Sequence, residues 1–435
     1  MANVHIITFG CSLNQSDSEA MAGILHEHAL HIVDDPAEAD VVIINSCTVK
    51  SKAERKLFTE IERFSKMGKK IVIAGCVPQA DRHLSQTVLK DYSIIGTTQL
   101  DRIADVVEET LAGNAVHILD RKANDRLKLP VIRRNKNIGI IPINDGCLGS
   151  CTYCKTVQAR GTLRSYTAAA IKKAMQAAVD DGCTEIWLTS QDTACYGLDL
   201  FPQENLPSLL RQLLTVRGDF KIRMGMGNPT HLKAYVDELA ELLKHPKLFK
   251  FVHIPLQSGS DRVLSMMHRE YTVADFEKIV HALRTADPRV AIATDMIVGF
   301  PTEIDADFEE SLCLLQRTQP DVVNVSRFWA RPGTAAARMP PVAGKTSTMQ
   351  ARAMMALAKQ VMLERNQQWL GWEGACVIEE LNERRAVLRN DYYKHILLPT
   401  SHVLASAVFP GKRLSVRIMQ VSAFDLHSIS DRVRS

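Results

Sequence analysis

Over the first hundred residues the hydrophobic positions come in short β-rich runs, Val4 to Phe9, Val41 to Asn45 and Ile71 to Ala74. Stretches with helical spacing separate them, beginning near Asn14 and Lys52 and recurring at Leu100 to Leu111. Strand and helix alternating in this way predict a small open parallel sheet over residues 1–118. A longer alternation follows, with candidate strands Gly139 to Ile143, Glu185 to Thr189, Lys221 to Met226, Phe251 to Ile254, Ala291 to Val298 and Val322 to Ser326. Six repeats are too many for one mononucleotide-binding half and too few for a closed eight-stranded barrel, so residues 137–345 read as a partial (β/α)6 barrel. Between the two zones, residues 119–136 are basic, contain Pro130 and read as a linker. A helical run over 346–369 connects to residues 370–435. There the alternating runs Ala375 to Glu379, Arg385 to Leu388, His395 to Leu398, Arg413 to Met419 and Phe424 to Ile429 predict a small antiparallel β-barrel. The expected fold class is therefore α/β, with an all-β module at the end.

With 435 residues, 46% hydrophobic and 23% charged, the chain has ample material for a large core and is not of disordered or collagen-like composition. No apolar run approaches the ~18 residues of a membrane span. The opening Met-Ala-Asn-Val-His-Ile-Ile-Thr runs straight into a predicted strand without the pattern of a secretory signal, so a soluble, cytoplasmic protein is expected. In such a reducing compartment ten cysteines bind metal or react more often than they pair. The net charge of +4 is mild but uneven. Residues 121–170 hold ten Lys and Arg against only Asp125 and Asp145, which points either to an anionic partner or to a solvated linker face.

Three cysteines of the first zone occupy equivalent places. Cys11, Cys47 and Cys76 each follow a predicted strand, at the edge of an open α/β sheet where loops converge on ligands. Plain burial of small side chains is the alternative. The sharpest motif is Cys147-x3-Cys151-x2-Cys154, just after the first barrel strand. No His lies between His117 and His231 and the next Cys is Cys183, so a four-ligand zinc site lacks a local fourth member. Three-ligand zinc stays open, as does an iron-sulfur cluster with one free iron. Polar residues cluster after the barrel strands, Ser190, Gln191, Asp192, Asn228, His253, Gln257, Asp295 and Arg327, on the edge that carries active sites in such barrels. His253 reads equally as a hydrogen-bonded core histidine and Asp295 as a helix cap. Cys183, Cys195, Cys313 and Cys376 are expected to be unligated and buried.

The Cys147-x3-Cys151-x2-Cys154 loop, with Tyr153 before its last cysteine and a six-fold barrel behind it, resembles the radical S-adenosylmethionine superfamily. The resemblance implies that Cys147, Cys151 and Cys154 bind a 4Fe-4S cluster whose open iron chelates S-adenosylmethionine, with Tyr153 against the adenine. One electron then cleaves the cofactor to a 5'-deoxyadenosyl radical. Ser190, Gln191, Asp192, Asn228, His253 and Gln257 are the further candidates for cofactor binding. An upstream three-cysteine domain and a C-terminal TRAM-like barrel make nearly the whole chain similar to the methylthiotransferases. Gly10 to Asn14, Asn45 to Lys50 and Gly75 to Gln79 match that family's cluster loops, with Ser46 where Thr is commoner. This likeness implies a second, auxiliary 4Fe-4S cluster on Cys11, Cys47 and Cys76 that carries the sulfur to be inserted. Carbon 2 of adenine is neither acidic nor readily attacked, so cofactors must supply the difficult step.

Within the family, Glu185 to Gly197, with Ala159-Arg160-Gly161 and Ser165-Tyr166, resembles the archaeal and eukaryotic branch acting on threonylcarbamoyladenosine in tRNA. The alternatives are an aspartate of a ribosomal protein, isopentenyl-adenosine in tRNA, or a non-catalytic zinc RNA-binding protein. Arg160 and Arg164 in the basic stretch, and Arg389 and Lys394 flanking Tyr392 and Tyr393 in a hairpin-like segment, are the expected contacts to an anticodon stem-loop. The resemblance further implies an electron donor such as a ferredoxin or flavodoxin. The chain lacks the membrane tail known from some eukaryotic relatives, and no membrane tether and a monomer are expected.

Overall fold

Every residue of Val41–Ser46 is buried, as a central strand of a parallel sheet covered on both faces requires. The computed structural model describes residues 2–48, 51–122, 125–399 and 409–428, and for 51–54 the backbone alone; Val49, Lys50 and Ile429, which belong to predicted segments, lie outside these. The N-terminal sheet has six parallel strands in the spatial order His31–Ile32, Asn3–Thr8, Val41–Ser46, Lys70–Gly75, Ser93–Ile95 and His117–Ile118. Three of these, the short strands at 31, 93 and 117, are too brief to show in the sequence pattern. The direction of winding reverses between Asn3–Thr8 and Val41–Ser46, which opens a crevice at their carboxyl ends. Two apolar layers flank the sheet, one around Met21, Leu25 and Val106, the other around Leu57, Phe64 and Leu89.

The six central strands appear at Ile138–Pro142, Glu185–Thr189, Lys221–Met224, Phe251–His253, Ala291–Val298 and Val322–Arg327. They form two three-stranded parallel sheets, joined among the described residues by an isolated bridge from Met226 to His253. Helices on the outside start at well-formed caps: Asn205 and Ser208 bond reciprocally at Leu206–Leu214, as do Thr272 and Asp275 at Val273–Ala286. The barrel is open, and the last strand leaves Val322, Asn324 and Ser326 exposed on one face.

The helix Gly344–Gln367 leads to a closed five-stranded barrel. It is mixed rather than purely antiparallel, because His395–Pro399 pairs in parallel with Leu426–Ser428. Trp369, Ile378, Leu388, Ile396 and Ile418 fill its core. The predicted linker is not a solvated spacer either. Arg126 is buried within it and bridges Asp17 of the first domain to Asp145 of the second. Among the described residues no helix is long and apolar enough to cross a membrane.

Candidate active site

Cys11, Cys47 and Cys76 follow the carboxyl ends of three neighbouring strands. Glycines let the loops close on one another. A Cβ at Gly10, where φ is 110°, would fall 2.6 Å from Cys47 Cβ and 2.7 Å from its Sγ. A Cβ at Gly75, where φ is 93°, would fall 2.3 Å from Asn45 Oδ1. Asn14, three residues beyond Cys11 on the helix that Cys11 caps, organises the centre. Its Nδ2 donates to Phe9 O (2.9 Å) and Ser46 O (2.8 Å), while its Oδ1 faces Cys76 Sγ at 3.5 Å and Cys11 Sγ at 3.8 Å.

The same Oδ1 accepts a 2.7 Å hydrogen bond from Arg160 Nη2. Arg160 belongs to the short helix Thr156–Arg160, which begins two residues after Cys154. Its side chain is 1% exposed and pairs with Asp17 at 2.6 Å. Burial pushes the Cys76 thiol up, and the Arg160 charge opposes that shift.

The second trio is held on its own loop. A Cβ at Gly149 would lie 3.4 Å from Cys147 Sγ and 3.6 Å from Cys151 Sγ, so both sulfurs border one point. Gly149 N donates to Cys147 Sγ at 3.2 Å, and Thr156 N donates to Cys154 Sγ at 3.3 Å. Burial pushes the Cys147 thiol up to about 12, with Asp192 adding to the shift. Burial raises Cys151 too, against the pull of Arg269, whose Nη1 donates to Cys151 Sγ at 3.2 Å. Arg269 Nη2 reaches Asn228 Oδ1 at 3.3 Å, and Asn228 N donates to Asp192 Oδ1 at 3.0 Å. Thus Asn228 and Asp192 are tied to the cysteine loop through an arginine. Asp192 is buried and also accepts from Ala194 N (3.0 Å), so it acts as a latch for two loops.

Among the remaining expected residues, Ser190 Oγ is buried without a hydrogen-bond partner, and Gln191 is half-buried. Gln257 sits in the left-handed region at φ 74°, an uncommon conformation for a side chain of its size. Its N donates to Asp295 O at 2.8 Å. His253 Nε2 lies 2.9 Å from Asp295 Oδ2, and Asn324 Nδ2 donates to Asp295 Oδ1 at 2.9 Å, a second polar cluster in the barrel. Tyr153 is packed edge-on against Phe300, centroids 6.3 Å apart, in an apolar cluster with Val263 and Met267. Among the described residues no three His, Cys, Asp or Glu side chains close tightly enough for a single metal ion.

Three of the four expected RNA contacts are not presented to solvent. Arg160 is buried as described. Arg389 makes a paired interaction with Glu379 (2.7 and 2.8 Å) beneath Tyr393, and Lys394 pairs with the buried Asp321 at 3.1 Å. Only Arg164 keeps a partly exposed side chain, at 39%. Cys183, Cys195 and Cys376 are buried, but Cys313 is exposed on its helix. Sequence reasoning did not read Arg160 as internal, and it met Asn14, Arg269 and Arg331 only inside the wider motifs Gly10 to Asn14, Met266 to Tyr271 and Arg331 to Thr334, with no role of their own. Asn14 was within reach, since its i, i+3 spacing from Cys11 puts both on one helix face.

The two trios are also joined across the domain boundary. Arg331 Nε donates to Thr48 O (3.0 Å), beside Cys47, and its Nη1 donates to Tyr153 O (2.6 Å), beside Cys154. Ser12 Oγ meets Thr189 Oγ1 at 2.6 Å, and Lys155 pairs with Asp81 at 2.9 Å. Comparison with known proteins agrees with this layout. Residues 3–96 match the family described as "Uncharacterized protein family UPF0004", and residues 141–315 match the radical SAM superfamily. The chain is 40% identical over 430 residues to the human threonylcarbamoyladenosine tRNA methylthiotransferase, covering 96% of this chain and 72% of that protein. The chain belongs to the threonylcarbamoyladenosine tRNA methylthiotransferase family. A probable threonylcarbamoyladenosine tRNA methylthiotransferase of Pyrococcus abyssi is 39% identical over 407 residues, 92% of this chain and 94% of that one. A radical S-adenosylmethionine methyltransferase structure from Kitasatospora setae shares the fold, with TM-score 0.55 and 13% identity over 77% of each chain. Radical SAM membership of this threonylcarbamoyladenosine tRNA methylthiotransferase relative implies one 4Fe-4S cluster and S-adenosylmethionine, and its C-terminal barrel fits a TRAM domain.

Proposed function

We propose that this chain converts N6-threonylcarbamoyladenosine beside the tRNA anticodon to its 2-methylthio derivative. The observation that carries the reading is the union of two cysteine trios at one junction, with Arg160 and Arg331 crossing between them. A single carbon must meet both a radical source and a sulfur source, and an arrangement with the two centres apart could not serve it.

The residues fit the groups. Cys147, Cys151 and Cys154 would hold the cluster that binds S-adenosylmethionine, with both sulfurs beside Gly149 facing one point. The unpartnered Ser190 Oγ and the strained Gln257 are suited to the cofactor's polar end. Cys11, Cys47 and Cys76 would hold the second cluster, where the buried Arg160 guanidinium meets the Cys76 thiol and its Nε and Nη1 find no oxygen acceptor. Together the bound groups supply one-electron chemistry for an unactivated C–H bond and the sulfur that replaces its hydrogen. The chain's own work is placement. Arg269 orients Cys151 and Asn228, Asp192 fixes the loops at Ala194 and Asn228, and Phe300 and Met267 keep water from behind Tyr153. A low-potential donor such as a ferredoxin or flavodoxin would deliver the electron.

Nucleoside analysis of tRNA tests this. Cells lacking the gene should accumulate N6-threonylcarbamoyladenosine and lose its 2-methylthio form. The wild-type gene should restore that form, and Cys47→Ala should not. An unchanged nucleoside profile, or a change confined to a ribosomal-protein aspartate, would defeat the proposal.

A further inference from the structure

Arg160 comes from the central domain, yet its guanidinium lies in the cysteine centre of the N-terminal one. It pairs with Asp17, shares Asn14 Oδ1 with Cys11 and Cys76, and is 1% exposed. Arg126 joins the same network through Asp17 and Asp145. With neutral thiols the four buried charges balance, two guanidinium groups against two carboxylates. Even so, Nε and Nη1 of Arg160 find no oxygen acceptor, and beyond Asn14 and Asp17 the guanidinium has only the Cys76 thiol. A buried cation whose spare donors meet only a neutral thiol is costly, and its presence points to an anion that arrives later. Three thiolates around an iron-sulfur core carry net negative charge, and reduction adds more. Hydrogen bonds and nearby charge are what set the potential of such a core.

We propose that Arg160 is a positioning residue lent by the radical half of the molecule, and that its charge sets the reduction potential of the auxiliary centre on Cys11, Cys47 and Cys76. The inference rests on the reading that these three cysteines hold a cluster. The centre is then composite, because its compensating cation arrives only when the two domains pack. Arg160 also stands at the end of the five-residue helix that starts beside Cys154, a span of about 7.5 Å, so one short element serves both centres.

The test is an EPR-monitored redox titration of the full chain, reconstituted without oxygen. A nearby cation favours the reduced, more negative form. Arg160→Gln should therefore lower the reduced-to-oxidised ratio of the auxiliary centre at least tenfold at a fixed potential, or about 59 mV for a one-electron couple. The centre on Cys147, Cys151 and Cys154 in the same sample should stay within a few-fold of wild type, and Arg160→Lys should recover most of the shift. Asp17→Asn keeps the cation and removes an opposing charge, so it should move the auxiliary potential upward. Opposite signs are not what general loosening produces, and this variant carries the test alone if Arg160→Gln does not fold. An auxiliary potential unmoved in both variants, or equal shifts in both centres, overturns the proposal. Uptake of a single cluster by the wild-type protein overturns the underlying reading and the proposal together, and it shows before any substitution is made.

Discussion

Each cysteine trio has a guanidinium against it, Arg160 at one and Arg269 at the other. Ligation needs thiolates, and burial holds Cys147 and Cys76 in the protonated form, so a fixed cation lowers the cost of the charged state. Glu303 shows burial outweighing a guanidinium, Arg262, that acts on it only weakly. Its Oε2 accepts from Gly299 N at 2.5 Å, yet burial raises its carboxyl to about 7 from 4.5. A carboxyl raised on folding binds more protons when native, so stability falls as pH rises from about 4.5 to 7 and is flat above that. Glu303→Gln should therefore stabilise the chain by about 2 kcal/mol more at pH 8 than at pH 5. Urea unfolding at the two pH values measures it, and equal gains would refute the assignment. The six cysteines were legible in the sequence because their chemistry demands one residue type at fixed places. The arginines were not, since Arg160 in a basic stretch reads the same whether it is buried or faces RNA.

At the scale of elements, the segment Arg389 to Lys394 shows where composition misleads. A cationic and aromatic hairpin suits a single-stranded RNA platform, and it suits a plug equally well. Here it is a plug. Tyr393 enters the base of the open barrel against Phe249 and Phe251, with centroids 4.9 and 5.0 Å away. Asp391 pairs with Lys221 at 2.8 Å, and its carbonyl accepts from Lys250 N at 2.8 Å. Tyr393→Ala should cost about 2 kcal/mol in unfolding free energy, as for a half-buried aromatic packed on a core. It should leave the salt dependence of tRNA binding unchanged, because no phosphate contact is lost. A variant of normal stability with a reduced salt slope would return the segment to RNA. Strand periodicity, by contrast, found all six barrel strands to within two residues, since five of them are largely buried and the last alternates between packed and exposed positions over Val322 to Val325. The parallel pairing of His395–Pro399 with Leu426–Ser428 lay beyond it, because pairing partners are chosen by tertiary closure.

At the scale of the whole molecule, two cysteine trios from different domains are held at one junction. Ser12 to Thr189, Lys155 to Asp81 and Arg126 to Asp17 and Asp145 stitch the junction. Arg331 alone among these bonds reaches the backbone beside a cysteine of each trio, at Thr48 O and Tyr153 O. Both of these bonds end on a carbonyl oxygen one residue away from a cysteine. Loss of Arg331 should therefore spare what each centre does alone and damage what they do together. In Arg331→Ala, iron and sulfide content and S-adenosylmethionine cleavage should stay near wild type. The yield of methylthiolated nucleoside per 5'-deoxyadenosine released should fall roughly tenfold, within the range that a 1 Å misplacement can cost. Arg331→Lys keeps the charge but cannot span both carbonyls with a planar fork, so it should behave like the alanine variant. Parallel quantification of the two products decides the matter. An unchanged ratio would show that the remaining contacts hold the spacing, and a cluster content falling in step with product would make Arg331 a folding residue.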